Sequence, residues 1–244
     1  ICACLVGSEM CIRDSYKRAR TCTAHLLLEY GTYVVRQSEY DEYVDALKDY
    51  ADHIKVLGVE DEKICGLTEV NQWLIDNAPE QVIAILDDDI KHFFYRTLDT
   101  EELTDPEIIT SELERVGQLM ADLDIGFGAV DATTRPWNYD AEFGWKGTAG
   151  STRWVNRKAF KAKCLKELKY NYDLDVVLQE LLYNRVILKP KYFCSKGETD
   201  TNAGGASEKR RDDQVACIKL MMAKWGKYFT YDFRKNVPHI NVPR

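Results

Sequence analysis

No stretch of this 244-residue chain is apolar for long enough to span a bilayer. Its opening residues, ICACLVGSEMCIRDS, do not read as a secretory signal: no basic start precedes a long apolar core, and no small-residue cleavage site follows. Positive charge is not in excess. Lys and Arg number 33 against 40 Asp and Glu, a formal net charge of -7, which argues against a generally cationic nucleic-acid binder but leaves room for a local basic surface. Eight cysteines are present, yet no pair has zinc-ligand spacing; Cys2, Cys4 and Cys11 fall in the opening segment, and Cys22, Cys65, Cys164, Cys194 and Cys217 are scattered. They read as reduced thiols of a cytoplasmic protein. Internal repeats and long linkers are absent, and with 45% hydrophobic and 30% charged residues general disorder is excluded. One α/β domain with a large core fits these bounds.

What is present alternates. GTYVVRQ (31–37) predicts a strand, and SEYDEYVDALKDYA (38–51) a helix whose first turn carries Glu39, Asp41 and Glu42. HIKVLGV (53–59) predicts a short strand, LTEVNQWLIDNA (67–78) an amphipathic helix ended by Pro79, and QVIAIL (81–86) a buried strand. This order implies a doubly wound, mostly parallel sheet flanked by helices. Further helices are predicted over 106–124, 172–184 and from Gln214 onward, with strand-like segments at 125–133, 154–160 and 185–197.

The 81–86 strand runs directly into Asp87, Asp88 and Asp89. Adjacent carboxylates oppose one another's ionisation, so three of them at the mouth of an apolar strand call for a cation. In open parallel sheets ligands bind beyond the carboxyl ends of the strands. Magnesium-like ions are commonly held there by one or two carboxylates together with substrate phosphates. A solvated strand cap is the plainer account; a phosphatase or nucleotidyltransferase would use the same layout.

The segment LVGSEMCIRDS (5–15) resembles the in-frame translation of a sequencing-library adapter. On that reading residues 1–15 are an artefactual segment, and the natural domain begins near Tyr16 with part of its first strand cut away.

The order SYKRA (15–19), YVVRQSEYDEY (33–43), a helix and IAILDDDI (83–90) resembles a glycosyltransferase of the GT-A type. IGFGAVDATTRPWNYD (125–140), YDLDVVLQELL (172–182) and TNAGGASEKRRDDQ (201–214) are similar to one branch, the phage TET/JBP-associated glycosyltransferases related to the base J glucosyltransferase. The resemblance implies a GT-A-like domain over 16–244. It would move a sugar from a nucleotide-sugar donor, UDP-glucose first, to a hydroxymethylated pyrimidine in DNA, with Mn2+ or Mg2+ as cofactor and a functional link to a TET/JBP-type oxygenase. If phage-encoded, it would work in the host cytoplasm.

It also implies roles. Asp87 and Asp89 would be metal and diphosphate ligands, and Asp88 would contact the donor sugar or ribose. Lys17, Arg18 and Arg20 would face the nucleotide or stand as solvated surface charges, and Gly204 and Gly205 would approach phosphate through their amides or belong to an ordinary mobile loop. His239 would complete the metal site. Asp173 or Asp175 would be the general base, although both also suit plain helix N-terminal capping. RWVNRKAFKAKCLKELK (153–169), with seven cations and one acid, would contact the DNA backbone or form an exposed basic surface. Trp137, Tyr139, Phe143 and Trp145 would form either a core flap or a platform for an extruded base. The competing classes are a nucleotidyltransferase, a glycosyltransferase with a non-DNA acceptor, and an inactive DNA-binding module.

Overall fold

The computed structural model describes residues 8–13, 18–131, 135–197 and 210–243. Its centre is a six-stranded sheet. In chain order the strands are β1 (Ser8–Arg13), β2 (Gly31–Arg36), β3 (Ile54–Val59), β4 (Val82–Asp87), β7 (Phe127–Ala129) and β9 (Thr152–Asn156), arranged β3-β2-β1-β4-β9-β7. β1 to β4 are mutually parallel where they pair, whereas β9 runs antiparallel to both β4 and β7. Strands β5 (Ile90–Arg96), β6 (Thr100–Leu103) and β11 (Phe193–Gly197) form a second, antiparallel sheet that grows directly out of the Asp87–Asp89 turn. Short strands β8 (Phe143–Gly144) and β10 (Lys189–Pro190) pair together, and β12 (Phe229–Asp232) with β13 (Val237–Ile240) makes a hairpin.

Alternation along the central strands builds two cores. Met10, Ile12, Tyr33, Val35, Ala84 and Leu86 face one side, with Ile109, Leu113, Val116 and Met120 of helix α3 (Pro106–Asp122). Cys11, Val34, Ile83, Ile85 and Val155 face the other, under α2 (Leu67–Asn77) and α4 (Tyr172–Tyr183). The apolar spacing of four, three and four residues in α3 gives the single stripe a surface helix needs, and the Asp105 side chain caps it by accepting from the Glu107 amide. Helix α1 (Tyr40–Ala46) is shorter than its sequence pattern, because the turn tightens to a 3-10 form on both sides. Helix α5 (Arg210–Trp225) packs Ile218 and Met221 with Leu174, Leu178 and Phe229 in a third, smaller cluster.

Residues 1–15 are expected from their adapter-like sequence to lie outside the domain, yet Ser8–Arg13 fills the first-strand position. β1 pairs with β2 on one side and along six residues of β4 on the other, with Met10, Cys11 and Ile12 buried. The physical reason is the sheet itself. Without a strand here β2 and β4 would each expose a row of unpaired amides and carbonyls. An extended hexapeptide with three apolar residues at its centre meets that need whatever its origin.

Among the described residues, no helix is long and apolar enough to cross a membrane. The described cysteines are thiols rather than disulfides.

Candidate active site

Asp87 ends β4, and its amide donates to the Ser151 carbonyl at the start of β9 (3.1 Å). Asp88 and Asp89 make the turn into β5, where the Asp88 carbonyl accepts from the amides of Thr23 and Ala24. The three carboxylates are not equivalent. The Asp88 side chain is 1% exposed, whereas those of Asp87 and Asp89 are each 20% exposed, so the outer two are open to solvent and the middle one points inward. Two arginines relieve the clustered charge. Arg18 reaches Asp89 at 3.1 Å and Asp88 at 3.7 Å. Arg153 reaches Asp87 at 3.3 Å.

Arg153 carries the site across to α4. Its Nε donates to the Gly150 carbonyl (2.9 Å), Nη2 to Asp87, and Nη1 to the Tyr172 hydroxyl, with the guanidinium 5.5 Å from the Tyr172 ring centre. Burial opposes the charge, but Tyr172, Asp87 and Asp173 outweigh it and hold the Arg153 pKa above its usual value. Asp173, in the first turn of α4, is half-buried beside this group. Burial raises its pKa; Arg153 and the Leu174 amide pull it back, and Asp87 adds to the rise. Arg153, Tyr172 and Asp173 line one pocket with Asn71, Phe160 and Cys164.

Asp175 has a different setting. It is fully buried, and both its oxygens are taken: Oδ1 accepts from Lys224 Nζ and Trp225 Nε1, each at 2.7 Å, and Oδ2 accepts from Gln179 Nε2 (2.7 Å) and Lys224 Nζ (2.9 Å). This carboxylate fastens α5 to α4, which makes it a poor candidate for a general base. Neither acid caps the helix: the N-cap residue is Asn171, whose side chain makes no capping bond.

Of the expected donor-site residues, Lys17, Gly204 and Gly205 lie outside the described residues. Arg18 is spent on Asp88 and Asp89, and Arg20 is exposed. His239 sits exposed in the β12–β13 hairpin, paired in register with Thr230, and is not brought into a ligand group. Among the described residues no three His, Cys, Asp or Glu side chains are grouped to hold a metal. The outer carboxylates Asp87 and Asp89 still suit a hard cation whose other oxygens come from a diphosphate: both are oxygen donors at a strand end, partly open to solvent.

The basic stretch 153–169 divides. β9 starts beside Asp87 and ends where Asn156 pairs with Val82, at the opposite edge of the sheet. Trp154 is in the core, its Nε1 donating to the Leu113 carbonyl, and Arg153 belongs to the site. Arg157 donates to the carbonyls of Ile75, Asp76 and Glu80, satisfying the end of α2. Lys158, Lys161 and Lys163 are exposed beyond the end of β9, while Lys166 pairs with Glu69 and Lys169 with Asp213. The stretch therefore gives no continuous basic face beside the carboxylates. In the aromatic loop, Tyr139 and Phe143 pack on the core, while Trp137 stands 75% exposed with Arg135 over its ring.

A further charged group centres on Asp131, within the 125–140 motif, and its partners are distant in sequence. Asp131 accepts from Arg96 (3.0 Å) and pairs with Lys189 (2.9 Å), both buried, which ties β5 and β10 to the end of β7. Burial opposes the Asp131 charge, but the two cations hold its pKa below the ordinary carboxylate value.

No protein-family model and no curated protein matches the chain. Solved structures do match in fold. A mannosyltransferase from Pyrobaculum calidifontis, in complex with GDP-Man and Mn2+, is 12% identical with a TM-score of 0.59, over 89% of this chain and 67% of that one. GalNAc-T7 with UDP, GalNAc and Mn2+ is 11% identical with a TM-score of 0.57, over 89% and 48%. TarS residues 1–349 from S. aureus are 12% identical with a TM-score of 0.55, over 89% and 65%. The chain thus spans roughly half to two thirds of the length of these neighbours. Its parallel core, the mixed outer strands and the small second sheet are those of the GT-A glycosyltransferase fold.

Proposed function

We propose that the chain is a metal-dependent glycosyltransferase using a nucleotide-sugar donor. The observation that carries this is the carboxylate turn Asp87–Asp89 at the mouth of the central parallel strand, joined through Arg153 to a half-buried acid, Asp173, in a GT-A fold. Neighbours of the same fold are seen with UDP or GDP-Man and Mn2+. Asp87 and Asp89 would hold the divalent ion. When bound, it would act as a Lewis acid on the departing diphosphate. Asp88 was the expected donor contact, but its side chain is buried against Arg18, so it holds the turn in place and leaves the donor to the two outer carboxylates. Asp173 accepts the proton of the attacking acceptor hydroxyl. Its raised pKa favours that task, because a carboxylate that is hard to ionise is a stronger base.

For the acceptor we read a hydroxymethylated pyrimidine in DNA, with UDP-glucose as donor and a TET/JBP-type oxygenase as the supplier of the hydroxyl. What supports this finer reading is the set of motifs at 125–140, 172–182 and 201–214. The exposed Trp137 offers a flat face for an extruded base. The test is mass spectrometry of hydroxymethylated DNA after incubation with the protein, Mn2+ and a panel of nucleotide sugars. A hexose added to the base is the expected product. Sugar transferred only to non-DNA acceptors overturns the DNA reading. A nucleotidyl group added, with pyrophosphate released from a nucleoside triphosphate, overturns the glycosyltransferase reading itself.

A further inference from the structure

Arg153 stands where the donor and acceptor halves of the site meet, and nothing in the basic run of sequence around it points to this. It lies on β9 opposite Ile85 and Ala129, so strand alternation turns it inward on the same face as Val155. The side chain is 8% exposed and is held in three directions at once, by the Gly150 carbonyl, the Asp87 carboxylate and the Tyr172 hydroxyl. A planar guanidinium can do this because its donors form a rigid fork; a lysine offers one point charge instead. If its role were charge neutralisation alone, a single partner would suffice. The three fixed contacts instead lock the end of β4 to the first turn of α4, which carries Asp173.

We propose that Arg153 is a positioning residue. Through Asp87 on one side and Tyr172 on the other, it sets the placement of the donor carboxylates relative to the base. This rests on the glycosyltransferase reading above. Its chemistry is geometric: the attacking hydroxyl must meet the sugar carbon and the base together, and errors near 1 Å cost orders of magnitude in rate.

Two variants separate positioning from mere stability. Arg153→Lys keeps a cation and loses the fork. Tyr172→Phe keeps the ring and removes only the hydroxyl that Arg153 meets. For each, we would measure melting temperature, affinity for UDP with Mn2+, and kcat and KM for the acceptor. Tyr172→Phe should melt and bind UDP–Mn2+ like the parent, yet lose roughly tenfold or more in kcat with acceptor KM unchanged, in line with the usual effect of outer-shell partners. Arg153→Lys should lose a similar factor in kcat and weaken UDP–Mn2+ binding as well. A melting loss in either variant with kcat unchanged would reduce Arg153 to a structural ion pair and overturn the proposal. Should Arg153→Lys fail to fold, Tyr172→Phe decides alone. Parent protein that binds no nucleotide sugar would overturn the functional reading and this inference together; normal parent transfer with kcat unaltered in both variants would overturn only this inference.

Discussion

Asp173 and Asp175 sit two residues apart on one helix and have opposite surroundings. At about 100° per residue, two steps turn a side chain through roughly 200°, so neighbours at this spacing face opposite sides of α4. One face meets Arg153 and the open pocket; the other meets Lys224 and Trp225 of α5. Asp173 is half-buried with its pKa raised by burial, and Asp175 is fully buried with both oxygens bonded. A pair of acids at a helix start is therefore not one feature. Three side chains anchor the second acid through four hydrogen bonds, whereas the first lies beside the pocket, open to chemistry.

Both environments of α4 are built on the central sheet. Deleting residues 1–15 is the most damaging change we expect. It removes the strand between β2 and β4 and uncovers the core around Met10, Cys11 and Ile12. Burying three such side chains contributes about 5 kcal/mol, comparable with the whole net stability of a typical domain. The truncated chain should lose its cooperative melting transition. Replacing Ser8–Arg13 with an unrelated extended hexapeptide that stays apolar at positions 10, 11 and 12 should keep it, since the contacts of β1 are main-chain pairing and generic burial on both faces. A truncated protein that melts at the parent temperature would show that β1 is not part of the sheet.

Next in size is the catalytic difference. Asp173→Asn cannot take a proton, and turnover should fall by roughly two to four orders of magnitude. UDP–Mn2+ affinity should hold, since the base serves the acceptor. Near-normal transfer by this variant would remove Asp173 from the chemistry and erase the functional half of the comparison.

Asp175→Asn should do the reverse. The amide still accepts hydrogen bonds but leaves Lys224, about one third exposed, without its counter-charge. We expect a loss of about 2 kcal/mol, or about 4–8 °C in melting temperature. Turnover of the folded protein should be nearly unchanged. A large drop in kcat at unaltered stability would make Asp175 the base instead.

Much of this was legible in the sequence, and the gaps have a common cause. The strands 31–36, 54–59 and 82–87 and the helices 67–77, 106–122 and 172–183 emerge where periodicity predicts them, because each buries one face locally. The sheet β5-β6-β11 was not foreseen, since Phe93 pairs with Ser195 about a hundred residues away and no local pattern encodes that pairing. The same holds for Asp175, whose partner Lys224 is 49 residues distant. Arg153 and Arg157 look alike in a basic run, yet strand alternation sends one into the site, and the turn beyond β9 sends the other to the end of α2. At β1 the adapter-like sequence says nothing of the pairing that β2 and β4 offer to any extended segment between them, and Ser8–Arg13 takes it.

The smallest effect we expect is also the sharpest test of the contrast, because its sign should differ between the two acids. Burial lifts the Asp173 pKa in the folded state, so the unfolded chain gives up this proton first as pH rises. Above the ordinary carboxylate value of about 3.9, ionisation of Asp173 therefore favours the unfolded state, and this cost grows until the folded pKa is passed. Below about 3.9 both states hold the proton and the cost vanishes. Asn removes the ionisation but keeps the shape. At pH 7 Asp173→Asn should melt slightly above the parent protein, while near pH 3 the two should coincide. Asp175→Asn should melt below the parent at pH 7, because the contacts that bind α5 to α4 through Lys224 and Trp225 are weakened. Melting curves of the three proteins at both pH values decide the matter. If Asp173→Asn is destabilised at pH 7 as much as Asp175→Asn, the first acid is held by contacts as firmly as the second, and the division of α4 into a working face and an anchoring face fails.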